Sequence, residues 1–195
     1  VILCTLHAGG KFGGKAYETS GGLHGGGASV VNALSDRMTV EVARTRELFV
    51  QSFARGVPQG PVAKVGPAPN RRGTSVTFHP DPEIFGHLSL KPGRLMRMAR
   101  SKAYLFSGVE IRWNTAIPED GVPPEAVFRF PGGLADHLSE QLGGVQTYAD
   151  RPFAGKVGFP DKYGVPGSVE WAINWTPARD GFLQSYCNTV PTPEG

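Results

Sequence analysis

Nine of the 27 glycines of this 195-residue chain lie between Gly9 and Gly27, and this stretch constrains the fold more than any other feature. Backbone amides without side chains can approach an anion closely, but ordering so many glycines costs conformational entropy. With 39% hydrophobic residues and no repeating triplet, the rest of the composition excludes a disordered or collagen-like chain. The sequence therefore indicates a globular protein with one glycine-rich loop region.

The glycine-rich stretch contains two different patterns. Gly9 to Lys15 matches GxxxxGK, but Ala16 stands where a P-loop needs a Ser or Thr hydroxyl for magnesium, and no helical pattern begins there. The second pattern, 21–27, directly precedes a helix predicted over 28–34. Because the positive end of a helix favours negative charge, this arrangement indicates a phosphate site, with a flexible linker or a closely packed helix entry as the alternative.

Two cations lie within the first glycine pattern, and an aromatic side chain lies between the two patterns. Lys11, Lys15 and Tyr17 belong to the same loop. A loop with this composition could fold over a bound nucleotide, so the sequence favours a lid.

The remainder of the chain mixes strands and helices. Period-two alternation predicts strands around Val40 and Val42, over 48–53 and over 75–78, with turns between them, as in an antiparallel meander. Helices are predicted over 94–104 and 134–142, and further strands over 109–113 and beyond Pro152. We expect an α+β protein with a domain boundary near 143–146.

Charge, cysteine content and chain ends set further expectations. A net charge of +3 and a pI near 9.0 are weak indications of a polyanionic partner. Cys4 and Cys187 form no CxxC pair, which argues against a disulfide framework or a zinc site. Without a stretch of about 20 apolar residues we expect a soluble, cytoplasmic protein. Because the chain starts without Met inside the apolar run 1–6, we expect a piece of a longer protein.

Several motifs follow one another along the whole chain. They are Leu6-His7-Ala8-Gly9-Gly10-Lys11-Phe12, Tyr17, Ser20-Gly21-Gly22-Leu23-His24-Gly25, Ser29-Val30-Val31-Asn32-Ala33-Leu34-Ser35, Gly56-Val57-Pro58-Gln59, Gly73-Thr74-Ser75-Val76-Thr77-Phe78 and Ser185-Tyr186-Cys187-Asn188-Thr189. In this order they resemble the GHKL ATPase region of the B subunits of type IIA DNA topoisomerases. Pro80-Asp81, Arg100-Ser101-Lys102-Ala103 and Arg151-Pro152-Phe153 are more similar to the topoisomerase IV (ParE) branch than to the gyrase branch.

The resemblance implies a fold and a nucleotide site. Residues 1–144 should form the C-terminal half of a two-layer α/β sandwich of the GHKL (Bergerat) fold, and 145–195 the start of a transducer domain with the ribosomal protein S5 domain 2-like fold. The residues implied to bind ATP are Gly22, Leu23, His24, Gly25, Gly26, Gly27 and Ala28 around the phosphates, Lys11 and Tyr17 on the lid, and Thr74 beneath the adenine. Arg44 matches the arginine at the mouth of the pocket where aminocoumarin inhibitors bind. Gly26 replaces the valine usual in the family, which should loosen the loop.

The resemblance also implies what this segment lacks. The general base and the magnesium ligand of the family lie upstream of Val1, so we assign no catalytic and no metal-binding residue here, although ATP and Mg²⁺ are the implied cofactors. The full-length protein should drive DNA strand passage and decatenation together with a ParC-like A subunit, and should dimerise with a second copy of itself on binding ATP. This segment alone should be inactive, and no membrane partner is implied.

Three alternatives remain at this point. The first is the gyrase branch of the same family, the second another GHKL ATPase, and the third a non-enzymatic basic module that binds nucleic acid. The third would use a basic stripe on the helix over 94–104, formed by Lys91, Arg94, Arg97, Arg100 and Lys102. A solvated helix face is favoured over such a stripe, because Leu95, Met96 and Met98 offer a packing face.

Overall fold

The computed structural model describes residues 2–5, 26–160, 166–177 and 180–192. These residues belong to two compact units, Val1–Ser89 and Leu90–Gly195. Both units combine helices with antiparallel strands, in agreement with the predicted α+β class.

The first unit is built around three long antiparallel strands that follow one helix. Helix α1 (Gly27–Ala33) leads into β1 (Ser35–Arg44), which pairs with β2 (Glu47–Ala54) on one side and with β5 (Gly73–Pro80) on the other. The β1–β2 connection is a two-residue turn in which Thr45 and Arg46 both have positive φ. Such a turn matches the twist of the strands that it joins. The central position of β1 places residues of β2 and β5 on either side of it.

Short elements complete this unit. Strands β3 (Val57–Pro58) and β4 (Ala63–Pro67) both pair with β2. Helix α2 (Pro82–Phe85) follows β5, and the side chain of Asp81 caps its first turn by accepting a hydrogen bond from the Glu83 amide at 2.9 Å.

Two directly opposed side chains form the buried centre of this sheet. Met38 of β1 lies opposite Phe53 of β2 in the register, and both are almost completely buried. Opposed residues lie on the same face of a sheet, so this pair defines the inward face. The register also places Val42 opposite both Phe49 and Thr74.

The described residues of the second unit form two helices and three antiparallel strand pairs. Its elements in chain order are α3 (Pro92–Leu105), β6 (Glu110–Asn114), β7 (Glu125–Arg129), α4 (Leu134–Gln141), β8 (Phe153–Pro160), β9 (Pro166–Ile173), β10 (Tyr186–Cys187) and β11 (Val190–Pro191). The paired strands are β6 with β7, β8 with β9 and β10 with β11. Pro92 stands at the first position of α3, where its missing N–H costs no intrahelical bond.

An aromatic cluster forms the buried core of the second unit. Tyr104 of α3 stacks on His137 of α4 at 3.7 Å between ring centroids, and Phe130 meets both rings edge-on at 5.8 Å. Ala103 is fully buried beside them. Met98 is exposed, so its predicted place on the packing face of α3 is wrong. The helix instead buries Pro92 and Gly93 at its start and Ser101, Ala103 and Tyr104 near its end, where Ala103 and Tyr104 meet the cluster.

The predicted elements agree with the structure over most of the chain. The helices predicted over 28–34, 94–104 and 134–142 are confirmed as α1, α3 and α4. Strands β4 and β7 were not predicted, and β4 contains glycine and proline, which weaken a strand pattern. The domain assignment of 1–144 and 145–195 stays a prediction.

Two simpler expectations concern cysteines and membrane segments. Cys4 and Cys187 are free thiols and both are exposed. Among the described residues, no helix combines the length and the apolar character that crossing a bilayer requires.

Candidate functional site: helix α1 and a basic groove

The entry to α1 carries three of the residues predicted to bind phosphate. Gly27 and Ala28, in the first turn, are exposed, and Gly26 immediately precedes them. The first amides of a helix have no intrahelical acceptor, and this first turn contains no acidic side chain that would neutralise them. Among the described residues, no atom lies within 4 Å of a Cβ added at Gly27, so these residues leave room beside the first turn. These amides can therefore receive an anion.

The opposite end of α1 is held by hydrogen bonds. The Gly56 amide donates to the Asn32 carbonyl at 3.1 Å, and the Asp81 amide donates to the Leu34 carbonyl at 3.0 Å. The Arg55 amide donates to the carbonyl of Ser35, the residue that starts β1, at 2.8 Å. Asn32 is fully buried. The helix is thus fixed at its C-terminal end and exposed at its N-terminal end.

An ion pair joins the two segments that supply these amides. Arg55 Nε donates to Asp81 Oδ2 at 2.6 Å, and Arg55 Nη2 lies 2.6 Å from Glu83 Oε1. The Asp81 side chain is 2% exposed, whereas that of Arg55 is 52% exposed. The Arg55 hydrogen bond, supported by the Glu83 amide, lowers the pKa of Asp81. Hydrogen bonds to the side chains of Asp81 and Glu83 raise the pKa of Arg55.

A basic groove lies at the other end of β1 and β5. Its volume is about 780 Å³, and its lining includes Arg44, Arg46, Arg71, Arg72 and Thr74. Arg71 Nη2 pairs with Glu41 Oε2 at 2.5 Å. In the part of the chain that the structure describes, the other three arginines form no salt bridge. The groove therefore offers guanidinium groups and a hydroxyl beside the apolar surface of Val42 and Pro69.

The structure brings some of the predicted site residues together. Arg44 and Thr74 line the same groove because β1 and β5 are neighbours in the sheet. Gly26, Gly27 and Ala28 lie at the start of α1. The remaining predicted residues, Lys11, Tyr17, Gly22, Leu23, His24 and Gly25, lie outside the described residues.

Sequence reasoning missed the residues that support this site. Arg46, Arg71 and Arg72 enter the groove from two turns that are distant in sequence. In the sequence, the dipeptide Arg71-Arg72 before Gly73 indicates only a turn. Arg55 and Asp81 are separated by 26 residues, and nothing in the local pattern links them.

The basic stripe predicted on α3 is only partly solvated. Arg94 and Arg97 are exposed. Arg100 Nη2 pairs with Glu140 at 2.7 Å, and its guanidinium lies over the Phe130 ring. Lys102 Nζ donates to the Thr189 carbonyl at 2.7 Å, and burial lowers its pKa. Two of the five cations are therefore engaged within the unit, which weakens the stripe as a surface for nucleic acid.

No protein-family model matches this chain. The whole chain is similar to the B subunit of DNA topoisomerase 4 from Caulobacter vibrioides, with 56% identity over 100% of this chain and 28% of the relative. The corresponding protein of Bartonella bacilliformis is 53% identical over 100% of this chain and 28% of the relative. Among solved structures, the 43K ATPase domain of Thermus thermophilus gyrase B in complex with an aminocoumarin has a TM-score of 0.72 and 34% identity, covering 86% of this chain and 43% of that chain. The chain spans less than a third of the length of these curated relatives.

Proposed function

Because this chain belongs over its whole length to the family of type II DNA topoisomerase B subunits, we propose that it forms part of the ATP-binding region of a topoisomerase IV protein. The observation that carries the proposal is the similarity of every part of the chain to topoisomerase 4 relatives. The corresponding gyrase protein is the second candidate, and the fold similarity to the Thermus gyrase domain favours it.

We propose that the amides from Gly22 to Ala28 hold the ATP phosphates, with Lys11 and Tyr17 closing over them. The exposed first turn of α1, which lacks acidic side chains, supports the part of this proposal that concerns Gly26, Gly27 and Ala28. Thr74 is proposed to lie beneath the adenine, and Arg44 at the mouth of the pocket. Both residues line the same groove, which supports placing them in one ligand site.

The chemistry of hydrolysis is proposed to need residues from other parts of the full-length protein. Within the described ranges, no group of three or more His, Cys, Asp or Glu side chains could hold a metal ion. The donors among the described residues do not fit a magnesium site, and the magnesium ligand is proposed to lie in another part of the full-length protein. The role of this segment is binding: it orients the phosphates through backbone amides and presents cations that offset their charge.

The activity of the whole protein follows as a proposal from the same relationship. Binding of ATP would join two B subunits, and the A subunit would cut the DNA duplex through which a second duplex passes. Strand passage by the assembled enzyme would decatenate linked DNA circles. A segment that holds the phosphates can couple to this cycle, because loss of the terminal phosphate removes contacts that order the loop around it.

The test uses the full-length protein that contains this chain. Since no atom of the described residues lies within 4 Å of a Cβ at Gly27, Gly27→Leu should fold normally and obstruct the phosphates. Gly60→Leu is the matched control, because Gly60 also has open space around it and lies in the connection between β3 and β4. We expect Gly27→Leu to weaken binding of a non-hydrolysable ATP analogue more than tenfold and to abolish ATP-dependent decatenation with the A subunit.

Two outcomes would contradict the proposal. Unchanged analogue binding in Gly27→Leu would remove the start of α1 from the phosphate site. Introduction of negative supercoils into relaxed DNA by the reconstituted enzyme would favour the gyrase alternative over topoisomerase IV.

A further inference from the structure

We propose that Arg55 and Asp81 are positioning residues for α1, so that their ion pair sets the affinity of the full-length protein for nucleotide without touching it. This inference rests on the function proposed above. It concerns two residues that lie at the anchored end of the helix, away from the exposed turn that would face the phosphates.

Helix α1 is held through the carbonyls at its C-terminal end. The last carbonyls of a helix lack the usual intrahelical donors, so donors outside the helix bind them. Gly56 and Asp81 supply two such amides, to Asn32 and Leu34, and Arg55 binds the adjoining Ser35 carbonyl. The donors come from two separate segments, the turn after β2 and the junction between β5 and α2.

The Arg55–Asp81 ion pair joins these two segments. Arg55 reaches Asp81 through Nε at 2.6 Å, and Nη2 makes a longer contact of 3.4 Å with the second carboxylate oxygen. Asp81 is itself fixed by the Glu83 amide. Because the Asp81 carboxylate is almost completely buried, it depends on these partners to compensate its lost hydration. Loss of Arg55 would therefore let the junction after β5 shift.

A small rotation of α1 at its anchored end displaces its exposed first turn. A helix of seven residues is about 10 Å long, so a rotation of about 10° at its anchored end moves the exposed turn by about 2 Å. The donor–acceptor distance of an N–H···O hydrogen bond varies by only a few tenths of an ångström around about 2.9 Å, so a displacement of this size breaks the bond. The amides at Gly27 and Ala28 would then lose their alignment with a bound phosphate although neither residue has changed.

The experiment compares Arg55→Gln and Arg55→Lys in the full-length protein, with Lys64→Gln as the matched control. Lys64 pairs with Glu47 on the same sheet, so the control also removes one exposed partner of an ion pair, but without a bond to the segments that anchor α1. The measurements are the Kd of a non-hydrolysable ATP analogue, the KM and kcat of ATP hydrolysis, and amide hydrogen exchange over 27–34 in the absence of nucleotide.

We expect Arg55→Gln to raise Kd and KM about tenfold while kcat stays within about twofold, since a misplaced phosphate site weakens binding in general. Arg55→Lys should raise Kd only about threefold, because lysine keeps the charge but loses the two-pronged geometry of the guanidinium. Exchange over 27–34 should become faster in Arg55→Gln. Lys64→Gln should match the unsubstituted protein in all three measurements.

A fall in thermal stability of Arg55→Gln with unchanged Kd would overturn the proposal, since the pair would then only stabilise the fold. Unchanged exchange over 27–34 would overturn it as well. Failure of the proposed function has a different signature: the unsubstituted protein would itself not bind the analogue, and the positioning role would fall with it.

Discussion

Replacing Phe130 by alanine is the strongest test of how the second unit is held together. Phe130 is 6% exposed and lies 5.8 Å from the ring centroids of both Tyr104 and His137, with the Arg100 guanidinium over its own face. Truncating a buried phenylalanine to alanine lowers the free energy of unfolding by about 3 to 5 kcal/mol, because the transfer free energy of the ring is lost and a cavity remains. The value expected here is about 4 kcal/mol, since two aromatic rings, those of Tyr104 and His137, meet Phe130 edge-on.

The control for this substitution is Phe153→Ala. Phe153 lies on β8 in the same unit but is 62% exposed, so its truncation should cost about 1 kcal/mol or less. All three tryptophans, Trp113, Trp171 and Trp175, belong to the second unit. Urea denaturation followed by tryptophan fluorescence therefore reports on that unit. In thermal melts each kcal/mol corresponds to about 4 to 8 °C for a unit of this size.

A difference of less than about 1 kcal/mol between the free energies of unfolding of the two alanine variants would refute the proposed contribution of Phe130 to the core. Such a result would mean that Phe130 is not a core residue or that the site collapses around the truncated side chain. A changed denaturant slope in Phe130→Ala would point to a different unfolded or partly folded state, and then the difference in free energy could not be assigned to packing alone.

Three further predictions concern single contacts. Burial lowers the pKa of His137 from its usual 6.5, despite the opposing Gln184 bond and Glu140 charge, and Arg100 lowers it further. The unfolded chain therefore binds the proton more tightly, so stability is fully present above pH 6.5 and falls as the pH drops below it, by at most about 1.4 kcal/mol per pH unit. His137→Gln should remove this part of the slope in urea titrations between pH 7 and about pH 5; an identical slope would contradict it. Gly56→Ala should destabilise by about 1 to 2 kcal/mol, because Gly56 has φ +83 and a Cβ there would lie 3.4 Å from the Ala33 Cα. Gly60→Ala should leave the free energy of unfolding, followed by circular dichroism, unchanged or slightly higher. Equal effects of the two substitutions would show that the positive φ of Gly56 does not cause the destabilisation. Tyr104→Phe and Tyr186→Phe should each cost about 0.5 to 1.5 kcal/mol, because their hydroxyls share one hydrogen bond of 2.6 Å. The double variant should cost less than the sum, and full additivity would show that the two hydroxyls are not coupled.

Local patterns in the sequence were sufficient for the main elements of the fold. The alternation around Val40 and Val42 predicts a strand because side chains of a strand alternate between its two faces, and β1 contains both residues. Apolar residues on α3 suggested the wrong packing face at Met98, because several faces of that helix carry apolar side chains and only its neighbours decide which one is covered. The family resemblance was equally available from the sequence, since it depends on ordered short motifs.

The sequence by itself determined the glycine-rich approach to α1, the meander that follows it and the family to which the chain belongs. Tertiary structure alone decided that Arg44 and Thr74 share one groove, that Arg55 reaches Asp81, and that His137 lies flat on Tyr104. The physical reason is the range of the interactions. Periodicity and turn chemistry act between neighbours in sequence, whereas these contacts join residues 26 or more positions apart, and their partners are set only once strand register and helix packing are established.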